Sequence, residues 1–546
     1  SRISVLPGKD VLRHVGKRLV LSTRAELRNN LKEDGTNICR MAVDLLHSRP
    51  VRIPAQRPLD RRPRNSDNSE SFRVHAVQTF AWTLSILATL ATVETPSAQQ
   101  PETSNLSSVS SGSIFGASGT TFLSQFANPA LLGSLYLTPQ WPMTGYYPIF
   151  PGSMSQAIPG DGVLVGPLRV HPHMGVAQMY TDNVFRTNSN RTSDFLTTLS
   201  PGIQARLPFG GFHTLLIDYR TNLQYYSRTS SNDVQDQTAV GAVKFDFPGG
   251  LKIDLQGEHR LGHDPRGSAV DNVNTQRLGV NKWTADGFSG HAEYVGAQSS
   301  VGLHVQTFRW QYLNNNQGPI RDRLINRADL IFSRNVTDKL SLRATVGAQQ
   351  SLYDQNKNLD NVIYTFSGGG TWNVSEATSG EILVGYQHVQ FTRAQVDQPP
   401  PLSQFFRDKD AYSNLYVMGR LHWQATPLLK ITLQLFRSVQ QTVASGSLFY
   451  TATGVNLTAR HELTDRIAGT INFGYEHDKF QSVSSGATTG GSDRNEDLKN
   501  VAVGVNYQAV KWVGLGAQYI FEDRHSTLPQ FTYQANTVML FAQTLF

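Results

Sequence analysis

Cysteine is almost missing from this chain: 546 residues contain one, Cys39. The remainder can form neither an internal disulfide nor a cysteine metal site. Charge is also scarce, at 17% against roughly 25% in ordinary soluble domains. Long apolar runs are lacking as well. After residue 98 there is no stretch of 20 apolar residues, which excludes a polytopic helical membrane protein. An excess of one sign is absent from most of the chain. The formal charge is +7, but residues 1–98 hold 16 basic and 9 acidic residues and account for all of it. The rest is neutral, which argues against a nucleic-acid partner.

The N-terminal part divides by composition. Residues 1–72 form a basic extension, with a weakly amphipathic stretch from Asp10 to Lys32 and a Pro/Arg run from Gln56 to Asn65. The run predicts disorder, or a segment outside the mature protein. Residues 73–98 have the order of a secretory signal peptide: a short positive flank at Arg73, an apolar run from Ala76 to Val93, and small residues ending at Ala98. A membrane anchor is the second reading of this run. Residues 99–165 are rich in Ser, Gly and Pro and predict a disordered linker or a partial plug.

From residue 166 to 546 a different pattern holds. Leu251, Ile253 and Leu255 alternate with Lys252, Asp254 and Gln256. Leu429, Ile431, Leu433 and Leu435 alternate with Lys430, Thr432 and Gln434, and the alternation recurs in Ile471–Tyr475, Val501–Tyr507 and Val513–Phe521. Period two is the strand signature, because successive side chains point to opposite faces. Tight turns, such as Pro208–Gly211, Pro248–Gly250 and Thr464-Asp465, broadly alternate with longer polar loops, such as Pro265–Asn274, Ala394–Asp410 and Ser482–Asn495. A soluble sandwich of this length would need two or more domains, and no linker follows residue 165. The pattern predicts an all-β fold, a transmembrane antiparallel β-barrel of about 18 strands, with 16 as the alternative. Its first strand is expected near Leu168–Asp182 and its last at Phe531–Phe546. Tyr225, Tyr226, Trp310, Tyr312, Tyr475 and Trp512 lie near strand ends, where interfacial girdles or ordinary barrel packing would use them.

Two stretches go beyond generic alternation. One is Tyr180-Thr181-Asp182-Asn183-Val184-Phe185, followed by Ser193-Asp194-Phe195 and Ser200-Pro201-Gly202. The other is the uncharged terminal strand, in which Val538, Leu540 and Phe546 share one face. The first resembles the opening of the β-barrel porin type 2 family, outer-membrane proteins associated with exopolysaccharide and exosortase gene clusters. The second resembles a barrel-assembly signal, and departs from it at Thr544. The resemblance covers roughly Leu168 to Phe546. It implies the bacterial outer membrane, with lipid and the barrel-assembly machinery as partners, and small solutes or polysaccharide as cargo.

Chemistry-bearing motifs are few. His171 and His173 share a strand face, but no carboxylate or cysteine nearby completes a metal set. Asp182-Asn183 fits a strand-end turn better than a calcium site. Gly368-Gly369-Gly370 lacks the Lys-Ser/Thr of a phosphate loop. Neither a catalytic residue nor a cofactor is expected. The expected pore-lining set is Asp218, Arg220, Lys252, Asp254, Glu258, Arg260, Lys430 and Glu476. An Arg or Lys facing lipid at mid-depth would cost about 2–4 kcal/mol, so these residues should point inward. They would form either structural ion pairs or a polar pore surface of mixed sign. A porin-like barrel is the leading expectation. A non-conducting structural or binding barrel and an outer-membrane hydrolase are the alternatives.

Overall fold

The structure is a computed structural model describing residues 162–267, 279–375, 377–393, 410–441, 447–482, 494–510 and 512–545. The basic extension, the signal peptide, nearly all of the linker and Phe546 lie outside these residues, as do parts of three of the long loops. Strand β1 (Val163–Val165) precedes eighteen long strands: β2 (Leu168–Thr181), β3 (Asp194–Phe209), β4 (His213–Tyr226), β5 (Val234–Asp246), β6 (Leu251–His263), β7 (Lys282–Val295), β8 (Ser299–Tyr312), β9 (Arg323–Thr337), β10 (Leu340–Tyr353), β11 (Asn361–Ser375), β12 (Thr378–Phe391), β13 (Ala411–Thr426), β14 (Leu429–Gln441), β15 (Ser447–Glu462), β16 (Ile467–Ser482), β17 (Asn495–Val510), β18 (Val513–Ser526) and β19 (Tyr533–Leu545).

Each long strand pairs antiparallel with its chain neighbours, and β19 pairs with β2 from Thr537↔Thr181 to Leu545↔His173. The sheet therefore closes. In hydrocarbon each unpaired backbone N–H or C=O costs several kcal/mol, and closure removes the open edge. The eighteen-strand expectation holds, with small shifts at the ends. The last strand starts at Tyr533, because Pro529–Phe531 forms a 3-10 turn. The linker stretch ends in β1, which pairs with the base of β2 at Val163↔Val170.

Tight turns lie at one end, here taken as periplasmic, and longer loops at the other. The β5–β6 turn needs glycine: Gly249 and Gly250 have φ of +100° and +93°, which L residues rarely adopt. Four loops at the extracellular end share one device. A helical turn ends on a polar residue that accepts a hydrogen bond from the backbone N–H of the preceding strand's end. Asp233 takes Tyr226 N at 2.8 Å, Asp322 takes Tyr312 N at 2.7 Å, Asp360 takes Tyr353 N at 2.7 Å and Thr532 takes Ser526 N at 3.1 Å. Burial pushes the Asp322 carboxyl up from its ordinary value.

The outward face is apolar over a limited height. On β17 it runs from Val501 to Val510, a rise of about 23 Å at ~3.4 Å per residue and a tilt of about 40°. Val538 and Leu540 of β19 lie on this face, 48% and 60% exposed. Above the belt the outward row turns polar: His477 and Tyr475 both bond Asp497 Oδ1, at 2.9 and 2.6 Å, beside Lys499 and Asp523. The wall thus continues past the hydrocarbon on the extracellular side.

Candidate functional site

The eight residues expected to line a pore all stand on the inner-facing row of their strands, but at different depths. Asp218 and Arg220 of β4 are buried near the middle of the strand. Their bidentate pair has bonds of 2.6 and 2.8 Å, and Gln204 of β3 donates to Asp218 at 2.9 Å. Glu258 and Arg260 of β6 are likewise buried and paired at 2.7 Å, with Gln256 donating to Glu258 at 3.1 Å. Glu476 of β16 is buried two residues from Asp478. Lys252, Asp254 and Lys430 lie nearer the periplasmic end. The Lys430 ammonium is 58% exposed and 3.9 Å from Glu462.

Opposite charges recur at i and i+2, where a strand places them on one face. Besides the two pairs above, Arg327 and Asp329 meet at 2.6 Å, as do Arg494 and Glu496. Removing charges from water costs several kcal/mol per ion, and a partner on the same face offsets much of it. Arg524 of β18 joins Glu496 and also donates to the carbonyl of Gly267, in the loop after β6. Loop residue Arg186 pairs with Glu522 at 2.6 Å. Burial opposes the Arg186 charge, yet the adjacent carboxylate outweighs it and holds the guanidinium above its ordinary value. Gly267, at φ +74°, lets the loop sit close. A Cβ there would lie 2.9 Å from both Arg186 Cγ and the Tyr533 hydroxyl. Arg494, between the rings of Phe480 and Phe531 at 4.0 and 3.6 Å, has its pKa pushed down by burial.

Apolar side chains complete the upper lumen, and they decide between the girdle and packing readings of the strand-end aromatics. Trp310, a girdle candidate, is 2% exposed and packs on Trp283 with ring centroids 4.4 Å apart. It shares the inward row with Phe308. Tyr226 also faces inward, whereas Tyr225 is exposed on the outward face. A second cluster joins Tyr353, Ile363, Val389 and Phe391 to Val439 and Phe449, around a small apolar pocket. Sequence reasoning did not single out this cluster.

The two family-like stretches form the seam. Asn536 of β19 donates to Asp182 from its backbone N and its Nδ2, both at 2.7 Å, and Asn183 Nδ2 donates to the Gln534 carbonyl at 2.8 Å. Asp194 accepts Thr229 N at 2.8 Å and Thr229 Oγ1 at 2.6 Å, which pins the β4–β5 loop. Pro201 lacks an N–H, and the β3–β4 ladder skips Ser200 and Pro201. Asp182-Asn183 is thus a strand-end clasp. Among the described residues no group of three His, Cys, Asp or Glu side chains could hold a metal.

Solved structures with a similar outline include the ferric enterobactin receptor PfeA of Pseudomonas aeruginosa (a mutant), at 7% identity and TM-score 0.37, covering 69% of this chain and 80% of that one. OccAB3 of Acinetobacter baumannii aligns at 11% identity and TM-score 0.39, covering 69% and 99%. The FrpB iron transporter of Neisseria meningitidis (F3-3 variant) aligns at 9% and 0.40, covering 66% of this chain and 62% of its own length. Likeness at this level carries no functional information. No curated protein matches the chain. The model of the family described as "Putative beta-barrel porin 2" matches residues 157–544, the whole barrel. The chain belongs to that family, and its barrel is one of the bacterial outer membrane.

Proposed function

We propose that this barrel is porin-like and passes small polar solutes, with the extracellular half of its lumen setting what passes. The observation that carries this reading is the inner wall itself, a closed ring of strands lined by charges of both signs in adjacent pairs. Paired charges leave little net field, so strong selection between cations and anions is not expected. Solutes entering from the periplasm would meet Lys252, Asp254 and Lys430 first. Passage of an extracellular polysaccharide, the finer reading, would require the packed upper lumen to rearrange.

Planar-bilayer recording of the purified barrel tests this. Discrete channels with weak ion selectivity support the reading, and a protein that inserts and folds without conducting overturns it. The second reading is a non-conducting structural or binding barrel. It is favoured by one observation, the burial of Asp218, Glu258, Glu476 and Trp310 inside the lumen. The hydrolase alternative is set aside, because the description of the family, "Putative beta-barrel porin 2", points to a transport barrel.

A further inference from the structure

The β13–β14 ladder stops before either strand does. Its last extracellular pair is Val417↔Arg437, although β13 continues to Ala411 and β14 to Gln441. On their other sides both strands stay paired over this height: β13 with β12 up to Ala411↔Gln390, and β14 with β15 up to Gln441↔Phe449. The wall has divided between β13 and β14, and the upper ends of β14 and β15 have moved as a pair.

They have moved inward. Val439 and Phe449 continue the outward rows of their strands, yet they are 2% and 4% exposed. They pack on the inward residues Val389 and Phe391 of β12 and Ile363 of β11. Tyr412, on the inward row of β13, meets Phe449 edge-on at 4.6 Å. Val439 N donates to the Oε1 of Gln387, an inward residue of β12, at 2.9 Å, and Asn414 Nδ2 donates to Thr451 Oγ1. The opposite face of the same strands is covered as well, since Phe436, Tyr450 and Ala452 cluster with Phe480. A strand pair buried on both faces is inside the barrel. Arg437 sits at the fork, donating to Thr453 Oγ1 at 2.7 Å and to Asn414 Oδ1 at 3.2 Å.

We propose that the upper ends of β14 and β15 are a retractable constriction that alternates between this inward position and one in which the β13–β14 ladder runs on to the rim. The strands already define the second register. Continuing Val417↔Arg437 places Leu415 opposite Val439 and Ser413 opposite Gln441. The exchange trades apolar packing and two side-chain hydrogen bonds for further ladder pairs, so both arrangements satisfy the backbone. The inward position narrows the lumen and the outward one widens it. This consequence rests on the porin-like reading, whereas the strand movement does not.

Two double-cysteine forms of the full chain, each with Cys39→Ser, test both parts. Asn414→Cys with Thr451→Cys joins residues in contact in the inward position. Leu415→Cys with Val439→Cys joins residues that meet only when the ladder is extended, where opposed Cα atoms lie about 4.5–5.5 Å apart, within disulfide range. Both pairs are expected to cross-link in outer membranes under mild oxidant, scored by unreduced gel mobility. In bilayers the oxidised 414–451 form should conduct at least threefold less than its reduced form and the oxidised 415–439 form at least as much as its own, each reversed by reductant. A 415–439 pair that stays reduced while 414–451 cross-links completely overturns the movement, as does failure of 414–451 to cross-link. Equal conductance of the two oxidised forms overturns the constriction. Cross-linking of both pairs with no conductance in any form supports the movement and removes the porin reading alone.

Discussion

Asp218, Glu258 and Glu476 lie in the middle of the lumen and above it, each nearly excluded from solvent. Arg169 and Lys430 lie in the lower lumen, on the inward rows of β2 and β14, with their side chains exposed. The residue types match, but their energetic roles differ. Most of these buried charges sit against a neighbour of opposite sign or a ring, so losing one deprives its partner of compensation; Glu476 and Asp478 differ, as two buried carboxyls side by side. At the periplasmic mouth water compensates Lys430, and its pair with Glu462 is worth little.

This contrast orders the expected effects of substitution. Arg524→Ala removes one of the two guanidinium partners of buried Glu496, leaving Arg494, and removes the link to Gly267. It should cost about 3–5 kcal/mol, the usual loss for one partner of a buried pair, read by urea unfolding in lipid vesicles. A cost below about 1 kcal/mol would mean the upper lumen is wet, and the contrast would collapse. Leu540→Arg probes the outer wall of the same ring. Placed toward lipid it should cost about 2–4 kcal/mol; a neutral result would put that row in water. Asp182→Ala removes the clasp on Asn536 and should cost about 1–3 kcal/mol, as expected for hydrogen bonds to a charged acceptor. The loss should appear as easier unfolding on semi-native gels. Lys430→Gln should change stability by less than about 0.5 kcal/mol, while shifting the reversal potential slightly toward anion exclusion. A large stability loss there would make the lower half structural too.

Much of the wall was legible in the sequence because strand alternation and turn chemistry are local. Eighteen strands, the seam between the regions of Leu168 and Phe546, and the inward rows of Asp218–Arg220 and Glu258–Arg260 all follow from period two. The upper lumen was not legible. Trp310 fits a girdle or a core equally well by position along its strand. Only its shared row with Phe308, opposite Arg309 and Gln311, turns it inward. The fork at β13–β14 leaves even less trace, since Val439 falls in step with the apolar row of Ile431, Leu433 and Leu435. One signal was available: Arg437 falls in that apolar outward row, where a cation is costly unless the wall departs from lipid. Which loop reaches which strand, as Gly267 does Arg524, depends on contacts far apart in the chain.

The Asp182 clasp bears on how the protein is made. Every other neighbouring pair of long strands is joined by a connection of a few to about twenty residues, so the sheet can grow hairpin by hairpin. The β19–β2 pairing alone joins residues 354 apart, as between Asp182 and Asn536. Loop-closure entropy rises only logarithmically, so joining these ends costs about 3 kcal/mol more than closing a ten-residue connection. The bonds from Asp182 and Asn183 to β19 are of the size needed to offset that cost. They place the last step of assembly at the clasp, where a sheet that is otherwise complete still has two edges.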